Sequence, residues 1–86
     1  MREFTYTIKS TTGLHTSRAG LLAMQTKAFP DTNVTVSAGG STVKTSQLMR
    51  LISMNFKQGS RVTVAADGPQ ENDAIEVVQS FFEYYL

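Results

Sequence analysis

The feature that most constrains this chain is a change of rhythm. Apolar residues alternate singly with polar ones in some stretches and recur at helical spacing in others. Phe4, Tyr6 and Ile8 alternate with Thr5, Thr7 and Lys9. Val34, Val36 and Ala38 alternate with Thr35 and Ser37, and Arg61-Val62-Thr63-Val64-Ala65-Ala66 repeats the pattern. A period of two places one apolar and one polar face on each strand. Gly39-Gly40 supplies the two positive-φ residues of a tight hairpin, and Thr42 to Lys44 begin the returning strand. Four strands with one apolar face each need a cover.

The helical stretches provide it. Ala19, Leu22, Ala23, Thr26 and Phe29 predict an amphipathic helix over 16–28, stopped by Pro30. Gln47 to Met54 predict a second helix of barely two turns, with Ser46 as its N-cap and Leu48, Leu51 and Ile52 facing inward, before Gly59 breaks it. After Asp67-Gly68-Pro69, a third helix is expected with Pro69 in its first position and Glu71 and Asp73 near its positive end. Ala74, Val77, Val78, Phe81 and Tyr85 form its expected buried stripe. The order β-α-β-β-α-β-α predicts an α+β domain in which three helices cover one face of a four-stranded, mostly antiparallel sheet.

Eighty-six residues suffice for a single domain, 1–86, whose modest core favours a surface site over a deep cleft. There is no cysteine and only one histidine, so a disulfide framework, a thiol nucleophile and a zinc cluster are excluded, and no metal or cofactor is expected. The N-terminal residues lack an apolar signal core and no run approaches a membrane span. A soluble, cytoplasmic, monomeric protein is the expectation. All eight Lys and Arg lie in residues 1–61 beside only Glu3 and Asp31, a net of +6, whereas residues 62–86 carry five carboxylates and no base, a net of −5. A basic face built from Lys9, Arg18, Lys27, Lys44 and Arg50 would steer acidic protein partners; a solvated mixed-charge surface is the alternative. The bases are scattered singly without interleaved aromatics, which argues against nucleic acid.

The one histidine, His15, stands in Thr12-Gly13-Leu14-His15-Thr16-Ser17-Arg18-Ala19, where the first strand gives way to the first helix. The first turn of a helix leaves backbone N–H groups without partners and carries the positive end of the helix dipole, so it favours an anion. An imidazole there, partly neutral near physiological pH, is a candidate nucleophile toward a phosphoryl group. A surface histidine without a role is the alternative.

Taken together, the residues resemble the HPr family, the histidine-containing phosphocarriers of the bacterial phosphoenolpyruvate-dependent sugar phosphotransferase system. The likeness spans nearly the whole chain: Gly13-Leu14-His15, Leu22, Phe29, Gly40-Ser41-Thr42-Val43, Leu48-Met49, Ser53-Met54, Gly59, and Gly68 with Glu71, Asp73 and Ala74. The resemblance implies an HPr-like open-faced sandwich and a stoichiometric carrier, not an enzyme. In such a carrier His15 accepts a phosphoryl group on a ring nitrogen from Enzyme I and donates it to IIA proteins. The family's partner face maps to Thr16, Ser17 and Gly20 beside Gln47, Leu48, Met49 and Ile52, with Arg50 as a further basic element. Leu48 is expected in the core and Met49 at the surface.

Two departures qualify the likeness. The family reads Ala-Arg-Pro-Ala after its histidine, where this chain reads Thr16-Ser17-Arg18-Ala19. Ser17 fills the arginine slot and Arg18 the proline slot. Either Arg18 returns a guanidinium to the phosphate from its displaced position, with Ser17 donating a hydroxyl, or Arg18 is a solvated helix residue and the protein is a regulatory interaction module with weak transfer. The second departure concerns the serine at the start of the second helix, which a dedicated kinase phosphorylates in some family members. Counting from His15 selects Ser46 as a regulatory phosphosite, whereas the Leu48-Met49 context places Gln47 in that slot and leaves Ser46 a plain cap.

Overall fold

The computed structural model describes residues 1–11, 16–54 and 56–86, together with the backbone but not the side chain of Thr16. Its elements are β1 (Arg2–Thr7), α1 (Thr16–Thr26), β2 (Asn33–Ala38), β3 (Ser41–Lys44), α2 (Leu48–Ser53), β4 (Arg61–Asp67) and α3 (Glu71–Tyr85). The order is the expected one. The four strands form one antiparallel sheet, arranged β1-β4-β2-β3.

The register shows why alternation specifies this sheet. Phe4 pairs with Val64, Val64 with Val36 and Val36 with Val43, an apolar row crossing all four strands on the covered face. The adjacent row is Thr5, Thr63, Ser37 and Thr42, on the open face, where the Ser37 and Thr42 hydroxyls hydrogen-bond at 2.8 Å. A slip of one residue would exchange the two rows, so burial fixes the pairing. The two-residue turn between Ala38 and Ser41 has positive φ at Gly39 and Gly40 (57° and 84°), the twist a tight hairpin requires.

The core lies between the sheet and the helices, with Ile8, Leu22, Val36, Leu51, Val62, Val64, Val78 and Phe82 fully buried. Phe82 meets the rings of Phe4, Tyr6 and Phe81 edge-on at centroid distances of 5.8, 5.7 and 6.1 Å, which ties α3 to β1. α1 packs on α3 and α2, and α2 also rests on β3. Among the described residues no helix is long and apolar enough to cross a membrane.

Several expectations shift at the element ends. α1 stops at Thr26, two residues before the expected end, because its ladder tightens: Ala28 N–H reaches Gln25 O and Phe29 N–H reaches Thr26 O, both three residues back. α2 is shorter at both ends, and its N-cap is Gln47, not Ser46. A turn closes first, with Gln47 N–H donating to Lys44 O (3.0 Å) and Lys44 N–H to Gln47 Oε1 (3.2 Å). That clasp delays the helix by one residue and draws the Gln47 side chain backward, so α2 has no side-chain cap.

Pro69 is not the first residue of α3; Gln70 is its cap and Glu71 its first residue. Gly68 explains the approach. Its φ is +153°, and a Cβ there would stand 2.6 Å from Asp31 O and 2.7 Å from Thr32 Cα. The Thr32 hydroxyl then accepts the Gln70 N–H at 3.0 Å. Glu71 also takes the α-amino group of Met1 at 2.8 Å, and that hydrogen bond holds its carboxyl below the ordinary glutamate range. The buried stripe of α3 is Ala74, Ile75, Val78, Phe81 and Phe82, with Val77 exposed and Tyr85 half-buried. α3 covers β1 and β4 while packing on α1, so its buried face is wider than one row and is centred one residue away from Val77.

Candidate functional site

Helix α1 begins at Thr16, the residue that follows His15 in the chain. His15 itself, and Thr12, Gly13 and Leu14 before it, lie outside the described residues. The placement expected of its imidazole against the first turn of the helix therefore falls there too. The flanking geometry is described. After β1, Lys9 N–H and Ser10 N–H both donate to the main-chain oxygen of Leu86, the latter at 2.7 Å. The chain entering the histidine segment is thus tied to the end of α3.

Arg18 completes that junction. It is half-buried, and its Nη1 donates to Tyr85 O at 2.8 Å and to Ser10 Oγ at 3.4 Å. Its guanidinium lies 5.6 Å from the Tyr85 ring centroid. Neither sequence reading of Arg18 anticipated this contact. A cation at the last carbonyls of α3 meets the negative end of that helix's dipole, and charge-assisted bonds of this kind are among the stronger ones. Both contacts are made by Nη1, which carries two of the five guanidinium N–H donors. The signal for this clasp in the sequence was the acidic bias of residues 62–86 with no base in the last turn of α3, which leaves its C-terminal carbonyls to a partner from elsewhere.

The remaining candidates sit on the adjoining helices. On α1 Ser17 is exposed and Gly20 half-buried, with open space where a Cβ would project from Gly20. On α2 Met49 is 78 % exposed, while Leu48 and Ile52 are half-buried and pack against the core, so each contributes to both surface and core. Gln47 and Arg50 are exposed. Since α1 packs on α2, the α1 and α2 candidates come from neighbouring elements. Ser46 is exposed and borders a separate groove of about 530 Å³ with Lys27, Lys44 and Thr45. The expected basic residues therefore divide: Arg18 turns inward to α3, while Lys27 and Lys44 share this groove.

The profile of the PTS-HPr family, described as the PTS HPr component phosphorylation site, matches residues 2–84. The chain belongs to the HPr family. It is 35 % identical to the phosphocarrier protein HPr of Vibrio cholerae over 69 residues, 80 % of each chain. An HPr structure from Thermoanaerobacter tengcongensis superposes with a TM-score of 0.88 at 30 % identity, covering 96 % of this chain and 92 % of that one. The histidine-containing phosphocarrier protein of a Mycoplasma gives 0.87 at 28 %, covering 93 % and 90 %. Sequence family and fold therefore converge on a phosphocarrier scaffold.

Proposed function

We propose that this HPr-family protein is a stoichiometric phosphoryl carrier working at His15, accepting the group from Enzyme I and passing it to a IIA protein of the phosphotransferase system. The observation that carries the reading is the family match across residues 2–84, which spans Gly13-Leu14-His15 immediately before the start of α1. A neutral ring nitrogen of His15 supplies the electron pair for the new N–P bond as the bond to the donor breaks and the donor regains its pair. The transfer to IIA repeats the exchange in the opposite sense, so no phosphoryl group is consumed. The first-turn N–H groups of α1 and the exposed Ser17 hydroxyl supply donors for the charge that gathers on the phosphoryl oxygens. Arg18 acts as a positioning residue, fastening the end of α3 beside the start of α1. The adjoining surface of α1 and α2, with Met49 exposed, receives the partner proteins.

Incubation with Enzyme I and phosphoenolpyruvate tests this. The protein should gain one acid-labile phosphate, absent from His15→Ala, and transfer should be slower than in family members with arginine in the slot of Ser17. The Arg18–Tyr85 clasp makes Ser17→Arg the informative gain-of-function variant, because it adds a guanidinium without removing Arg18. A faster transfer is expected. The second reading, a regulatory module, is favoured by that same displaced arginine; it is supported if the native chain takes no phosphate and Ser17→Arg does.

A further inference from the structure

An open groove of about 760 Å³ lies along the outer side of α3 and does not include the α1 and α2 residues placed at the partner surface. Its chemistry is that of a cation receptor. Gln25 of α1 stands on one side, and α3 contributes Val77, Ser80 and Tyr84 with Glu76 and Glu83. Tyr84 is 81 % exposed, and its ring pairs with that of Tyr85 in a T-shaped arrangement at 4.7 Å, so its position is set by a neighbour while most of the residue faces solvent. No lysine or arginine lines the groove, and among the described residues neither Glu76 nor Glu83 has an ion-pair partner. The whole of α3 carries four carboxylates and no base.

The spacing adds a register. Glu76-Val77 and Glu83-Tyr84 are the same pattern, a carboxylate followed by an exposed apolar residue, repeated after seven positions. Seven residues bring a helix back to the same side within about 20° and advance it by about 10 Å. The groove thus presents two anionic points roughly 10 Å apart, with an aromatic ring beside the second.

We propose that this groove docks an extended segment of a partner protein carrying two arginine or lysine residues three positions apart. In a segment extended as a polyproline-II helix three residues make one full turn of about 9 Å, so bases three positions apart leave the same side of the segment at close to the separation of the two carboxylates. The two cations meet Glu76 and Glu83, one of them over the face of Tyr84, while the intervening residues rest on Val77 and Ser80. The partner is a different protein and not a second copy. The bases of this chain, at positions 2, 9, 18, 27, 44, 50, 57 and 61, include no pair three apart. The docking surface uses none of the residues assigned to phosphoryl transfer, so it stands or falls apart from that function.

A titration of the full chain with the peptide Ac-Arg-Ala-Ala-Arg-NH2, followed by amide shifts in NMR, tests the proposal. Shifts should concentrate at Gln25, Glu76, Val77, Ser80, Glu83 and Tyr84. The double variant Glu76→Gln/Glu83→Gln should weaken binding about tenfold, the sum expected of two surface ion pairs with the ring contact retained, and Tyr84→Ala should weaken it severalfold. All three side chains are exposed, so the variants should keep the native spectrum elsewhere. The isosteric peptide with citrulline in place of both arginines should not bind, and Ac-Arg-Arg-NH2, whose two side chains leave different sides of the backbone, should bind more weakly. Equal binding of the citrulline peptide, shifts centred away from α3, or indifference to the double variant would overturn the proposal. Concentration-dependent self-association abolished by Glu76→Gln/Glu83→Gln would assign the groove to a second copy and overturn it as well.

Discussion

Helix α3 runs for fifteen residues and buries Ala74, Ile75, Val78, Phe81 and Phe82, whereas α2 runs for six and buries only Leu51. α3 has acidic residues in its first turn and its last carbonyls clasped by Arg18; α2 has no side-chain cap. Isolated helices of two turns are far below the length that sustains them in water, so α2 exists because Leu51 is seated and because Leu48 and Ile52 lean on the core. One helix is structural mass, while the other leaves Met49 and Arg50 exposed to solvent. Under the proposed function, a contact helix held by few buried groups suits transient binding, and stability has to be stored elsewhere.

The largest expected effect tests that division. Phe82→Ala removes a fully buried ring together with its contacts to Phe4, Tyr6 and Phe81. It should cost about 3–5 kcal/mol in urea unfolding, a large share of the stability of a domain this size. Leu51→Ala should cost less, about 2–3 kcal/mol, with the loss concentrated in α2. Hydrogen exchange should then show α2 amides opening while β4 and α3 amides stay protected. Equal global loss for both substitutions would erase the distinction between the helices.

How legible these elements were follows the same line. Alternation and helical spacing revealed all seven elements because burial on one face imposes the period. The Gly39-Gly40 turn was equally readable because its backbone demands positive φ. What escaped were features decided by contacts distant in sequence. Val77 and Phe82 occupy helical positions one-dimensional periodicity cannot rank; the packing of α3 between α1 and the sheet buries Phe82 and leaves Val77 exposed. The cap of α2 depended on whether the residue before it was free, and the Lys44–Gln47 clasp took that choice from Ser46. At the site, the family motif pointed to His15, but the reach of Arg18 to Tyr85, 67 residues away, has no local signature.

If Arg18 is a clasp on α3, Arg18→Ala should destabilise the protein by about 1.5–3 kcal/mol, the range for a hydrogen bond involving a charged group. Arg18→Lys should recover only part of this, since an ammonium keeps the charge but not the planar fork that meets both Tyr85 O and the ring. Thermal unfolding of the three proteins measures it. An unchanged midpoint for Arg18→Ala would show that the contact contributes nothing net and would remove the positioning role proposed for Arg18.

The smallest expected effect sharpens the picture of α2. Gln47 occupies the cap with φ −92° and ψ 72°, and its side chain is spent on Lys44 N–H instead of on the first turn of the helix. Ser or Asp at this position would offer a shorter oxygen acceptor to the N–H groups of Met49 or Arg50, a capping bond usually worth about 1 kcal/mol over a residue that cannot cap. The Lys44 contact would be lost in exchange, and the observed ψ departs from the extended value that capping favours, so the net gain for Gln47→Asp should be about 0.5 kcal/mol, near 2–4 °C in thermal midpoint for a domain of this size. Protection of the α2 amides should rise with it while those of α3 stay constant, because the gain is local. A loss of stability instead would mean that the turn closed by Gln47 is worth more than a capped helix, and that the register of α2 is set from the β3 side before the helix begins.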